Sequence, residues 1–405
     1  MKRGFMLFIV LFLAPCPMPH APAHAALERD KAPPVVYLSG TPYEIGRQHG
    51  EALRDEVRGC LRTVLGHFRG YLKLPVINAW LTNWWLDSTW RVSERFVPAD
   101  IREEMRGLAD GAGVPLKELE RLHAIPDRTY SCSNFAAWGR ATKGGRLIHM
   151  RNLDWSMQAG IQRFPAVFVI APKGKRAFVS VAWAGFVGVL TGINDAQLSI
   201  GQIGAESVDV TFEGEPMVFL MRRVMEQAGD ADAAAAIIRQ ARRTIGANYV
   251  LADAKARRAL VVETTRRHAR VFEADDAAEH GVSYARPLAD AVFRADAAVD
   301  PVIRERQIAS RGNPKRPGLE DPAGSSAYDV RYLGQAAGLS ANYGQLDGPR
   351  AVHIAQAVAP GSNVQSVVFA WPELWVANAD GLTPAARTSY HRFDVAALLQ
   401  HVVEK

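Results

Sequence analysis

The apolar residues of this chain change their spacing near residue 131, and that change limits the folds open to it. Before it the spacing is helical. Ile45, His49, Leu53 and Val57 recur near the 3.6-residue period, and Thr41-Pro42 ahead of them is a helix start. The pattern runs to about Glu120. After Ser131 come short runs bounded by glycine and lysine turns, at 135–142, 146–155, 166–170, 177–182, 198–203, 248–253 and 259–263. Two amphipathic helices, 216–228 and 232–243, interrupt them, and strands return at 366–369 and 374–377. The stretch 311–325, rich in Gly, Pro and charge, reads as a surface loop. The expectation is a helical first segment joined to an α+β body.

Composition removes several classes. With 22% charged and 48% hydrophobic residues the 405-residue chain is ordinary globular protein. A net charge of +6 is too dilute for a nucleic-acid footprint. The histidines lack metal-ligand spacing and no phosphate loop occurs, so neither metal nor cofactor is expected. Lys2 and Arg3 precede a short apolar run, and Ala23-His24-Ala25 offers a cleavage site. Residues 1–25 therefore read as a signal peptide, which predicts a secreted or periplasmic protein with no stable membrane anchor. An uncleaved anchor is the alternative, although the run is short for about 30 Å of hydrocarbon. Removing the leader leaves Cys60 and Cys132, as one disulfide or as two thiols with separate roles.

Trp80, Trp84, Trp85 and Trp90 lie on one helical stretch, either as aromatic core or as lining for an apolar substrate. The chemistry concentrates at 130–155. Two strand-like runs flank Lys143-Gly144-Gly145, a hairpin signal. A loop at Lys143-Gly144 sets Cys132 opposite Trp155; one at Gly144-Gly145 sets it opposite Met157. Either register brings Arg151 and Asp154 near the thiol, since opposed residues are about 5 Å apart. Arg151 can lower the thiol pKa, and Asp154 can orient the attacking group. His149 and Met150 are strand neighbours and cannot share a face. A cut between Ser131 and Cys132 would give Cys132 a free α-amine of ordinary pKa about 7.7–8.0, so one residue would hold nucleophile and base. Cys132 could instead be a structural thiol or half of a disulfide with Cys60.

Cys132 with Arg151-Asn152-Leu153-Asp154-Trp155 resembles the choloylglycine hydrolase pattern of the N-terminal nucleophile (Ntn) hydrolases. Residues 40–50 and 104–114, Gly192-Ile193-Asn194-Asp195, 248–253 and 366–369 are together similar to the acyl-CoA:6-aminopenicillanic acid (isopenicillin N) acyltransferase-like family. The resemblance implies a four-layer αββα sandwich with a helical N-terminal segment, and autocleavage into 26–131 and a catalytic body, 132–405, which stay associated. By position it implies Cys132 as nucleophile, Arg151 as its polarising partner and Asp154 as holder of the α-amine. It also implies Asn248 as oxyanion donor, Gln202 as a second donor, and Arg331 near the site. A strand-end or salt-bridge role stays open for these last three. Relatives carry an asparagine where Asp296 stands, and Asp296 reads as a solvated loop residue, as misaligned, or as a sign of altered specificity. The expected function is an exported autoproteolytic cysteine hydrolase or acyltransferase. It would cleave a small-molecule N-acyl amide through a thioester on Cys132, with water as acceptor. An ester- or phospholipid-cleaving enzyme and a non-catalytic binding protein on the same fold are the alternatives.

Overall fold

The computed structural model describes residues 31–70, 75–125, 131–311 and 330–403. The signal-peptide reading of 1–25 and the loop read at 312–325 lie outside these residues. The strands are β1 Val35–Gly40, β2 Ser131–Gly139, β3 Gly145–Asp154, β4 Pro165–Pro172, β5 Phe178–Trp183, β6 Thr191–Asn194 and β7 Leu198–Gly204, then β8 Ala247–Asp253, β9 Arg258–Thr264, β10 Ala269–Phe272, β11 Ala291–Arg294, β12 Asn363–Ala370, β13 Glu373–Asn378 and β14 His391–Asp394. The helices are α1 Pro42–Ala52, α2 Arg54–Arg69, α3 Pro75–Ser93, α4 Ala99–Ala112, α5 Leu116–Ala124 and α6 Met217–Gln227, then α7 Ala231–Gln240, α8 Ala277–His280, α9 Pro301–Arg311, α10 Val330–Ala341, α11 Gly348–Val358 and α12 Val395–Val403.

Two sheets form the centre. One has eight strands in the order β1-β4-β5-β6-β7-β8-β9-β10, the other six in the order β11-β2-β3-β12-β13-β14. β2 and β3 of the second sheet pack against β7 and β8 of the first. Helices α1, α6 and α7 pack on the first sheet, and α10 and α11 on the second, which makes an αββα sandwich. Helix α12 packs on β1, β4, β5 and β14. Strand alternation sends Phe135 and Met150 outward into the core under α10 and α11. Cys132, His149 and Arg151 point inward between the sheets. His149 and Met150 are therefore both buried, on opposite faces of a sheet covered twice.

The first segment is not all helix. Residues before α1 form β1, which pairs in parallel with β4 from Val35↔Val167 to Gly40↔Pro172. A β-branched and aromatic run fits a pleated edge better than a helix. Strand β1 thereby ties the residues before the expected cut into the sheet that follows it.

The glycines of 40–50 and 104–114 have a packing use. A Cβ on Gly46 would lie 1.8 Å from the Glu104 carbonyl oxygen, and one on Gly107 2.0 Å from that of Tyr43. Gly50 and Gly111 repeat the arrangement one turn on. Spacing of four puts each pair on one face, so α1 and α4 cross backbone to backbone. Helix α1 starts with a capping box: Thr41 accepts from the Glu44 amide, and Glu44 accepts from the Thr41 amide.

Candidate active site

Cys132 is the second residue of β2. The hairpin register sets it opposite Leu153, Asn134 opposite Arg151, and Ser131 opposite Asp154. This corrects both predicted registers. The connection is not a two-residue turn: the ladder shifts between Ala137 and Gly139, and Thr142 leaves the hairpin to bridge Leu346. Cys60 and Cys132 are both free, so the disulfide alternative fails.

Arg151 crosses the gap between the sheets. Its Nε and Nη2 donate to the Gln202 carbonyl at 3.1 and 3.0 Å, and its Nη1 donates to Thr191 Oγ1 at 2.5 Å. Its Nη2 also donates to Cys132 Sγ at 3.4 Å. Gly201 makes room for this side chain, since a Cβ there would lie 2.2 Å from Asn134 Nδ2 and 3.0 Å from Arg151 Cδ. Asn134 Oδ1 accepts from His149 Nε2 at 2.8 Å, while His149 Nδ1 meets Ser199 Oγ at 2.7 Å. Burial holds His149 neutral, with its pKa lowered to about 3, and Arg151 adds to the effect. Burial also pushes the Cys132 thiol up to about 11, against the pull of Arg151. Arg151 does lower this pKa, as expected, but in the uncut chain desolvation outweighs the guanidinium.

A second cluster surrounds the Ser131–Cys132 peptide. The Cys132 amide donates to Asp296 Oδ1 at 3.0 Å, and Ser131 Oγ donates to Asp296 Oδ2. Asp296 is buried, so its reading as a solvated loop residue is corrected. It follows β11, and β11 pairs with β2, which puts it beside the strand's first residues. Arg331, near the start of α10, donates from Nη1 to Asp154 Oδ2 at 2.5 Å and from Nη2 to Ser131 Oγ at 2.5 Å, and it also pairs with Asp296. Asp154 Oδ1 accepts from Asn363 Nδ2 at 3.0 Å. Burial pushes the Asp154 carboxyl up to about 7, with Arg331 and Asn363 opposing. The group predicted to hold the Cys132 nitrogen was Asp154; the carboxylate bonded to that nitrogen in the uncut chain is Asp296.

No protein-family model matches the chain. It is 27% identical over 273 residues to Protein dcd1A of Dictyostelium discoideum, covering 59% of this chain and 60% of that protein. It is 24% identical over 213 residues to acid ceramidase of Rattus norvegicus, covering 46% and 53%. Among solved structures it resembles the Caenorhabditis elegans ortholog of N-acylethanolamine-hydrolyzing acid amidase, at 16% identity and a TM-score of 0.44 over 65% of this chain and 99% of that one. The chain spans about half the length of the curated relatives it matches. The fold is an αββα sandwich of two packed sheets covered by helices.

Within that sandwich, Cys132, Arg151, Asp154, Arg331 and Ser131 come together from β2, β3 and α10. Gln202 and Asn248 take part differently from the expectation. Ser199 and Gly201 face inward, so the Gln202 side chain points to the opposite face, where both its polar atoms are buried without a hydrogen-bond partner among the described residues. Gln202 reaches the site through its carbonyl, as the acceptor for Arg151. Asn248 is buried on β8, and its Nδ2 donates to the carbonyls of Ala295 at 3.0 Å and Ala297 at 3.3 Å. It thereby fixes the turn that carries Asp296. Thr191 and Asn363 were not anticipated; each lies just outside a motif that was read. Of the tryptophans, Trp90 is core, while Trp80 and Trp84 project into solvent at 65% and 50% exposure.

Proposed function

We propose that this chain is an autoproteolytic cysteine amidohydrolase that takes small N-acyl amides. The observation that carries the reading is one residue bonded at both ends: Arg151 Nη2 donates to Cys132 Sγ, and the Cys132 N–H donates to Asp296 Oδ1. In the first reaction Sγ adds to the Ser131 carbonyl carbon and the Arg151 charge stabilises the developing thiolate. The carbon–nitrogen bond breaks, the thiol proton ends on the Cys132 nitrogen, and a thioester joins Ser131 to Sγ. Water then cleaves the thioester, releasing the Ser131 carboxylate and restoring the thiol.

The new α-amine supplies the base that the buried thiol needs. It takes the Sγ proton as Sγ attacks a substrate amide, and it passes that proton to the departing amine. Water releases the acyl group from the second thioester. Asp296 keeps the amine beside Sγ. Strand β1 and the buried Glu104–Arg222 pair, at 2.9 Å, hold 26–131 to 132–405 after the cut. Likeness to relatives named as acid ceramidase and N-acylethanolamine-hydrolyzing acid amidase supports an amide substrate. The order of the sequence motifs supports a place near the isopenicillin N acyltransferase-like branch. The signal-peptide reading of 1–25 supports export, and export supports water over an intracellular thiol as acceptor.

The test is the intact mass and N-terminal sequence of the purified protein beside Cys132→Ala. Two fragments from the native chain, the second starting at Cys132, and one from the variant are expected. An uncut native chain would remove the base this mechanism needs and sink the proposal.

A further inference from the structure

The chain's own junction is its first substrate, and it records which acyl group the site accepts. This inference rests on the autoproteolytic reading above. In the uncut chain the carbonyl that Sγ must reach belongs to Ser131. The acyl carbonyl of any later substrate must come within reach of the same Sγ. Counting from that carbonyl as carbon 1, Ser131 Cα is carbon 2 and Cβ is carbon 3, so Ser131 Oγ is a hydroxyl on carbon 3 of the acyl part.

That hydroxyl is held from two sides. It accepts from Arg331 Nη2 at 2.5 Å and donates to Asp296 Oδ2. Both partners are anchored by contacts that do not involve Ser131. Arg331 Nη1 is on Asp154 Oδ2, which Asn363 fixes in turn through Oδ1 of the same carboxylate. Asp296 Oδ1 is on the Cys132 nitrogen. Their side chains are 17% and 4% exposed, so little water replaces a lost partner. When residue 131 departs, the Arg331–Asp296 ion pair remains, with a donor and an acceptor side by side where the hydroxyl lay.

We propose that the enzyme selects N-acyl amides whose acyl chain carries a hydroxyl on carbon 3, with Arg331 and Asp296 as the specificity-determining residues. A hydroxyl both accepts and donates, as this pair requires. A 3-oxo group only accepts, and it would face the Asp296 carboxylate. A 3-ammonium only donates, and it would face the Arg331 guanidinium. A plain methylene forfeits both hydrogen bonds and leaves Arg331 and Asp296 only each other and their anchors, so an acyl chain without the hydroxyl is the poorer fit.

The test uses the cut enzyme and four amides of one fluorogenic arylamine: octanoyl, 2-hydroxyoctanoyl, 3-hydroxyoctanoyl (each enantiomer separately) and 3-oxooctanoyl. We expect kcat/KM for one 3-hydroxy enantiomer to exceed that of the octanoyl amide by at least about 10-fold, the size of one hydrogen bond to a charged group. The 3-oxo amide should fall below octanoyl, and the 2-hydroxy amide should gain nothing. Asp296→Asn should pull the 3-hydroxy to octanoyl ratio toward one. General damage to the site lowers both rates and leaves the ratio unchanged. If the variant is not cut, the native ratio alone decides. A cut native enzyme that turns over octanoyl and 3-hydroxyoctanoyl amides equally, or none of the four, overturns this inference and leaves autoproteolysis standing. An uncut native chain overturns both.

Discussion

Replacing Gly46 by alanine sets two effects of opposite sign against each other. By helix propensity alone the change stabilises, because glycine in a helix interior is about 1 kcal/mol worse than alanine. The structure predicts the reverse. The new Cβ would sit 1.8 Å from the Glu104 carbonyl oxygen, 2.7 Å from its carbon and 2.8 Å from the Leu108 nitrogen. All three are backbone atoms of α4, so no side chain can rotate away. Ordinary contact needs about 3.5 Å, so α1 and α4 must part by roughly 1.5 Å and open a seam that four glycines close. Overpacking typically costs about 1–3 kcal/mol, and more where backbone must move. Because only backbone can yield, the cost lies at the upper end of that range, and the net expectation is a loss of about 2 kcal/mol after the propensity gain. Gly66→Ala is the control: Gly66 lies in α2, is exposed, and has nothing within 4 Å of its Cβ position, so it should gain up to about 1 kcal/mol. Urea denaturation of the native chain and both variants, with unchanged slopes, gives the comparison. A Gly46→Ala midpoint at or above that of the native chain would refute the backbone-contact reading.

Two further predictions concern buried groups. Arg151→Met should slow the appearance of the fragment starting at Cys132 by about 10- to 100-fold, the loss of one charge-assisted hydrogen bond; intact-mass time courses of freshly refolded protein measure it, and cleavage at the native rate would show that Arg151 does not polarise the thiol. His123 is buried between Phe186 and Phe219 and accepts from the Val187 amide at 2.9 Å, with its pKa lowered by burial to about 4. Its stabilising effect is thus present in full above pH 6.5 and is lost as pH falls toward 4. The destabilisation caused by His123→Gln should therefore shrink by about 2 kcal/mol between pH 6.5 and pH 5, other titrating groups being common to both chains; a pH-independent difference would mean that the ring is not held neutral.

Much of this protein is legible in local pattern. The switch of period at 131 marks the start of β2, and alternation within β2 and β3 puts Cys132, His149 and Arg151 on one face. Period and alternation are properties of neighbouring residues, so the sequence by itself determined them. It also determined that a thiol, a guanidinium and a carboxylate would share one hairpin, because antiparallel pairing depends only on the turn between the strands. What it did not determine is what lies opposite. The eight-stranded sheet covers the inner face of β3, so His149 is buried as fully as Met150. It also encloses Cys132, which is why desolvation raises the thiol pKa although Arg151 touches it.

Asp296 is the clearest case. The local pattern reads residue 296 as a loop aspartate, and the family resemblance marks only that an asparagine is usual there. Pairing of β11 with β2, across more than 150 residues of chain, carries it to the Cys132 nitrogen, and Asn248 on the other sheet pins its turn. The glycines of 40–50 and 104–114 show the same division: their spacing was legible, but only the crossing of α1 and α4 shows that it serves close contact. Local spacing decided which residues share a strand or helix face. Long-range pairing decided which charges meet, because burial and Coulomb interaction depend on distance in space rather than along the chain.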